Sequence, residues 1–262
     1  MNGVVSDHFD EILLRRIEDA GLNASAPPQQ RWLDGWLVRL SPGKAKRARC
    51  VNAVAAGVRP AEDKLRECEA IFREAGLSFF VRVTPFTAPP SLDDTLAARG
   101  FARIDDTRVM VRASLDGLPA VDMPDGITET VAAPDAYAEA VGQLRGSPAD
   151  QIEAHAQRLA MSPVPYVGLL WQREGQFVAC GQFAREGALV GLYDVFTSPA
   201  SRGAGLARQL CNQLLARARG EGAQAAYLQV ESTNEPARAV YRRLGFADGY
   251  AYHYRSAEPG AT

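Results

Sequence analysis

The chain has 262 residues, 47% of them hydrophobic, and a formal net charge of −2. That length suits two domains with real cores, and the even charge balance gives no general pull toward nucleic acid or a membrane surface. No apolar run approaches about 18 residues and no charged-then-apolar signal opens the chain, so neither a membrane span nor export is expected and the location reads as cytoplasmic. Cys50, Cys68, Cys180 and Cys211 show no CxxC spacing and His8, His155 and His253 form no cluster; reduced thiols and no metal are expected.

In chain order, Asp7 to Ala20 predicts an amphipathic helix on Phe9, Ile12, Leu13 and Ile17. Arg31 to Leu40 predicts one strand holding Trp32 and Trp36, and Ser41-Pro42-Gly43 turns it back toward a strand at Arg49 to Ala55. Lys44, Lys46, Arg47 and Arg49 beside that turn read as a solvated strand edge, with docking of an acidic partner as the other reading. A helix follows at Pro60 to Gly76 with Leu65, Cys68, Ile71 and Phe72 inward, then a strand at Leu77 to Val83, a short helix at Leu92 to Arg99 and a strand at Ala102 to Ala113. Ser114 to Ile127 is rich in Pro, Gly and Asp and reads as a connection. Beyond it, helices are expected at Val131 to Leu144 and, capped by Ser147, at Pro148 to Met161; Tyr166 to Arg173 and Gln176 to Arg185 read as antiparallel strands joined at Glu174-Gly175.

The most informative stretch is Leu189 to Leu215. An apolar strand breaks at Ser198-Pro199, tightens through Arg202-Gly203-Ala204-Gly205 and becomes a helix with Leu206, Leu210, Leu214 and Leu215 on one face. The first helical turn leaves N–H groups without partners and carries partial positive charge, which suits phosphate oxygens. A P-loop would need Lys after Gly205, and a dinucleotide fingerprint would need Gly or Ala where Arg208 stands; both fail. A second segment, Ala225 to Phe246, gives a strand, a polar loop with Asn234, and a short helix carrying Tyr241 just ahead of Gly245-Phe246.

The Arg202 to Ala207 pattern R-x-x-G-x-A, followed at this spacing by Asn234, Tyr241 and Gly245-Phe246, resembles the GCN5-related N-acetyltransferases over roughly Pro124 to Arg255. The resemblance implies a mixed α/β acyl-CoA N-acyltransferase fold and acetyl-CoA as co-substrate. It implies that the main chain of Val195, Phe196 and Thr197 takes the thioester-bearing arm and that Arg202, Gly203, Ala204, Gly205, Leu206, Ala207 and Arg208 hold the pyrophosphate. Asn234 is implied for the pantetheine arm, and Tyr241 as general acid or hydrogen-bond donor to the departing thiolate. Transfer is expected to go directly to a primary amine of a small molecule or peptide, without a covalent enzyme intermediate. Gly191 and Gln229 stand where relatives carry a glutamate base, so the base is expected to be Glu231 or Asp194 with a water; His155 reads as a surface or satisfied histidine. A coenzyme-A-binding module with decayed catalysis, another acyl donor and an O-linked acceptor are the alternatives, and the assembly is expected to be a monomer or homodimer.

The first half repeats the order of the second: Asn52-Ala53-Val54 falls on Tyr193-Asp194-Val195, Arg99-Gly100-Phe101 on Leu244-Gly245-Phe246, and Leu96 on Tyr241. Its loop, Gly57 to Lys64, lacks a second glycine and puts Glu62 and Asp63 where a pyrophosphate would sit, so like charges are expected to repel the ligand. The reading is two tandem domains, a degenerate one over 1–115 and a catalytic one over 116–262.

Overall fold

The computed structural model describes residues 8–43 and 45–257. Asp10 caps α1 (Glu11–Ala24) by accepting from the Ile12 N–H at 3.1 Å; Asp7, in the predicted start, lies outside the described residues. Because the helix runs on to Ala24, its buried face follows Leu14, Ile17, Ala20 and Ala24, and Ile12 is exposed. The strand expected over Arg31 to Leu40 is two strands, β1 (Gln30–Leu33) and β2 (Trp36–Arg39). Asp34 (φ 43°) and Gly35 (φ 83°) form the tight hairpin between them, a pair of left-handed residues whose twist matches the flanking strands.

β2 does return to β3 (Val51–Ala53), with antiparallel pairing. The basic run between them is not a solvated edge. Lys46 pairs with Asp105 at 2.7 Å, while the guanidinium groups of Arg47 and Arg49 lie 5.6 Å and 5.4 Å from the ring centres of Tyr193 and Phe80. Stacking on aromatic faces draws this chain segment inward; Lys44 lies outside the described residues.

The first half continues with α2 (Ala61–Glu74), β4 (Val81–Val83), α3 (Leu92–Ala98) and β5 (Ala102–Arg112). The second opens with β6 (Thr128–Ala132), α4 (Pro134–Arg145) and α5 (Ala149–Ala160). Val131, expected to start a helix, lies instead in β6 and pairs with Leu169; Pro134, with no N–H to contribute, begins α4. Ser147 does not cap α5: its N–H donates to Gly142 O, and Pro148 holds the cap position. Then come β7 (Tyr166–Arg173), β8 (Gln176–Glu186), β9 (Leu189–Thr197), α6 (Leu206–Gly220), β10 (Ala225–Glu231), α7 (Glu235–Arg243) and β11 (Ala247–Ser256).

All eleven described strands form one sheet in the order β1-β2-β3-β4-β11-β5-β10-β9-β8-β7-β6. Each half contains the series strand, helix, parallel strand, helix, strand: β3-α2-β4-α3-β5 and β9-α6-β10-α7-β11. The last strands are exchanged. β5 pairs with β10 of the second half, and β11 pairs with β4 of the first. The repeat also holds at the turn before each exchanged strand, where the Phe101 N–H donates to Leu96 O at 3.0 Å and the Phe246 N–H to Tyr241 O at 3.1 Å.

Leu206, Leu210, Leu214 and Leu215 bury the expected face of α6 against the sheet, each contributing roughly 2 kcal/mol of apolar transfer. That packing fixes the helix whose N-terminus faces the candidate site. No described helix is long and apolar enough to cross a membrane.

Candidate active site: two clefts that meet at Phe196

β9 and β10 run side by side only from Leu189 to Leu192, opposite Ala225 to Leu228. β10 then keeps to β5 as far as Glu231, while β9 stays with β8 as far as Thr197, so the two strands part. A bulge marks the parting: Asp194 and Val195 together oppose Gly181, and Asp194 takes φ 50°. One edge of Val195, Phe196 and Thr197 therefore has no strand beside it, ready to pair with an extended ligand.

That edge is one wall of a cleft of about 740 Å³. The other walls are the loop into α6 and the inner face of α7, with Asn234, Val240 and Tyr241. In the loop Gly203 has φ 83° and Gly205 φ 77°, and a Cβ built on either would meet nothing within 4 Å, so the space over the loop is open. The N–H groups of Gly203 to Ala207 make no bond to another main-chain group among the described residues, whereas that of Arg208 is taken by Gly205 O. Arg208 is thus corrected: it lines the cleft, but its amide belongs to the helix. Arg202 and Arg243 join it, and no carboxylate lines this cleft. Ala204 sits exposed between the two glycines, outside the lining. Amides without main-chain partners, a helix N-terminus and three arginines in the lining make a fit for a pyrophosphate.

Asn234 lines the same cleft while its Oδ1 caps α7, accepting from the Ala237 N–H at 3.2 Å. Tyr241 packs its ring edge-on to Phe246, and burial, with Cys211 behind it, pushes the phenol above its ordinary pKa. It is therefore neutral and a hydrogen-bond donor at any working pH.

On the far side of Phe196 lies a second cleft, of about 590 Å³, between α4 and α5, with Ser41, Gly43 and Ala45 of the first half at its mouth. Asp194 is at its floor. Arg145 Nη1 donates to Oδ1 at 3.1 Å, Gln182 Nε2 to Oδ2 at 2.7 Å, and His155 Nε2 lies 3.2 Å from Oδ2. Burial alone would raise this carboxyl, but His155, Arg145 and Arg158 together hold it well below the usual range. A carboxylate so held does not store a proton. Glu231, the other expected base, is exposed at the end of β10 and lines neither cleft. His155, expected on the surface or satisfied, lies within the cleft instead: its Nε2 approaches Asp194 Oδ2 at 3.2 Å but is buried without a well-formed hydrogen bond.

Reasoning from sequence missed Arg243 and the whole basic set of Arg145, His155 and Arg158 around Asp194. The one usable signal was the i,i+3 spacing of His155 and Arg158, which puts both on one face of α5. Among the thiols, burial pushes Cys180 and Cys211 up to about 12, which leaves no thiolate beside either cleft.

The corresponding loop of the first half is closed. Asp34 accepts from the N–H groups of Val58 (3.0 Å) and Arg59 (2.9 Å), and these bonds lower its pKa. Lys64, fully buried, lies 3.4 Å from the same carboxylate and donates to Ala56 O. A Cβ on Gly57 would meet Asp34 at 2.2 Å. The anion in this loop is thus Asp34; Glu62 and Asp63, cast as the repelling pair, face Arg99 and Arg66 on the outside of α2.

A β-strand parted from its neighbour, beside an open anion-binding loop and a second cleft across the same strand, defines an acyltransferase fold of the GCN5-related type. The chain belongs to the family described as "Probable histone acetyltransferase Rv0428c C-terminal", whose model matches residues 12–255, and is a GCN5-related N-acetyltransferase. It is 24% identical over 245 residues to the "Uncharacterized N-acetyltransferase YobR" of Bacillus subtilis (strain 168), covering 92% of this chain and 98% of that one. A "GCN5-related N-acetyltransferase from Kribbella flavida" superposes with a TM-score of 0.66 at 18% identity, over 92% of this chain and 94% of that one. A "Tandem GNAT protein from the clavulanic acid biosynthesis pathway" does so with a TM-score of 0.60 at 18% identity, over 77% and 70%. The mixed α/β fold agrees with both structures, the second of which is described as tandem, and the protein is an acyltransferase enzyme.

Proposed function

We propose that the protein transfers the acetyl group of acetyl-CoA directly to a primary amine. The observation that carries this reading is the meeting of the two clefts at Phe196: a donor laid along Val195–Thr197 and an acceptor between α4 and α5 approach one another at a single residue. Acetyl-CoA would supply a thioester carbonyl open to attack. The amides of Gly203 to Ala207, with Arg202, Arg208 and Arg243, hold the pyrophosphate, and Asn234 borders the pantetheine arm. Tyr241 donates a hydrogen bond to the sulfur as charge develops there. Because its phenol is a weaker acid than an ordinary thiol, hydrogen bonding is favoured over full proton transfer. On the acceptor side Asp194 orients His155 and attracts the incoming ammonium, and His155 takes its proton; a positioned imidazole with a carboxylate behind it suits that role. The described part of the first half no longer binds coenzyme and instead supplies Ser41, Gly43 and Ala45 to the acceptor cleft.

The test is calorimetric titration with acetyl-CoA of the wild type and Gly205→Glu, followed by free-thiol release on a panel of amines. The substitution puts a carboxylate in the open loop, and a micromolar Kd is expected to move beyond about 1 mM. Equal binding by both proteins, or none by the wild type, refutes the assignment of the loop.

A further inference from the structure

We infer that the acceptor carries, besides its amine, an anionic group, a carboxylate or a phosphate, and that Arg158 receives it. The inference rests on the reading of the α4–α5 cleft as the acceptor site and goes on to name the acceptor's class.

The charges lining this cleft do not balance. Among the described residues that line it, Arg145 and Arg158 carry positive charge against one carboxylate, Asp194, with His155 beside it. Asp194 is already engaged by Arg145, Gln182 and His155, so Arg145 is accounted for within the protein. Arg158 forms no ion pair among the described residues: its neighbours are the Tyr166 side chain and Asp194, which it lies near enough to help keep ionised.

Arg158 is also held in place. Its guanidinium lies 5.7 Å from the ring centre of Tyr166, whose hydroxyl donates to Ala24 O at 2.5 Å and whose ring packs edge-on against Tyr193. A planar fork stacked on an anchored ring loses little freedom when it binds, and its geometry matches two oxygens of a carboxylate or phosphate. The volume, about 590 Å³, is that of a small-molecule site. A lysine-rich tail would bring positive charge to a wall that is already positive, whereas an amine with an anionic substituent puts opposite charge at Arg158 and its ammonium toward Asp194.

The experiment compares matched acceptors at saturating acetyl-CoA: amino acids against their carboxamides, an amino-sugar phosphate against the parent amino sugar, and a lysine-rich peptide. Within whichever pair reacts, the anionic member is expected to have the higher kcat/KM, by about 10-fold. Which pair reacts separates carboxylate from phosphate. Arg158→Gln is expected to raise KM for the anionic member about 10-fold relative to that for the neutral member, and Arg158→Lys to restore part of the loss. Binding of the N-acetylated products, titrated by calorimetry into wild type and Arg158→Gln, gives the same comparison without turnover. Preference for the neutral or lysine-rich acceptors, an unchanged KM in Arg158→Gln, or no anionic compound binding or reacting, overturns the inference. If acetyl-CoA itself does not bind, the underlying acyl-transfer reading fails instead.

Discussion

The loops after β3 and β9 stand at the same point of the repeat, and one is plugged while the other is open. After β9, the amides of residues 203 to 207 have no main-chain partner among the described residues, a Cβ on Gly203 or Gly205 would meet only open space, and arginines line the cleft. After β3, Asp34 reaches across from the β1–β2 hairpin and takes the amides of Val58 and Arg59, with buried Lys64 behind it. The first half has thus kept the anion-binding geometry and satisfied it from within. On the proposed reading, coenzyme is kept out here by one carboxylate in the right place, with no change in the order of elements. The same contrast holds one helix later, where Leu96 is buried at the position Tyr241 occupies beside the cleft.

Three substitutions sharpen or break the contrast. The largest effect is expected from Tyr241→Phe, which leaves this position as unable to donate a hydrogen bond as Leu96: kcat falls about 100-fold with the acetyl-CoA Kd unchanged, read by steady-state kinetics beside calorimetry. An unaltered kcat would remove Tyr241 from the chemistry. Next is Lys64→Ala, which strips the buried cation from the plugged loop and should cost about 3 kcal/mol of stability by urea unfolding, again with no change in acetyl-CoA binding. If coenzyme affinity shifted with it, the two loops would not be independent.

The smallest effect is expected from Asp194→Asn, about 2 kcal/mol of stability near neutrality. The folded protein holds this carboxyl below its ordinary value, so the unfolded chain binds more protons in acid. The stabilisation is therefore complete above about pH 5 and is lost as pH falls below about 4. The gap between wild type and variant should narrow over that acid range; a gap that stays constant, measured by thermal unfolding at a series of pH values, would show that Asp194 is not held as described.

What could be read in the sequence was whatever is set by neighbours along the chain. The glycines of the α6 loop, its leucine face, and the spacing from Asn234 to Phe246 are local signals; the structure places Gly203, Gly205, Leu206, Asn234 and Tyr241 around one cleft and buries Leu210, Leu214, Leu215 and Phe246 in the core. Asp34-Gly35 is just as local a turn signal, yet Trp32 and Trp36 on either side made one continuous strand the easier reading. The strand exchange was hidden because β5 and β11 would look the same whichever half they joined. The acceptor cleft was hidden for a related reason. Asp194 points into it only because a bulge turns the strand, and Arg145 and Arg158 matter only once two helices have folded over that carboxylate.

The exchanged strands also bear on the order in which the protein is made. β11, residues 247–256, sits between β4 and β5, so the sheet of the first half has a gap until nearly the whole described chain has left the ribosome. β4 and β5 must wait with their facing edges unpaired, and until then a nascent chain exposes two strand edges to any other strand nearby. The sheet of the first half therefore closes only with the last described strand.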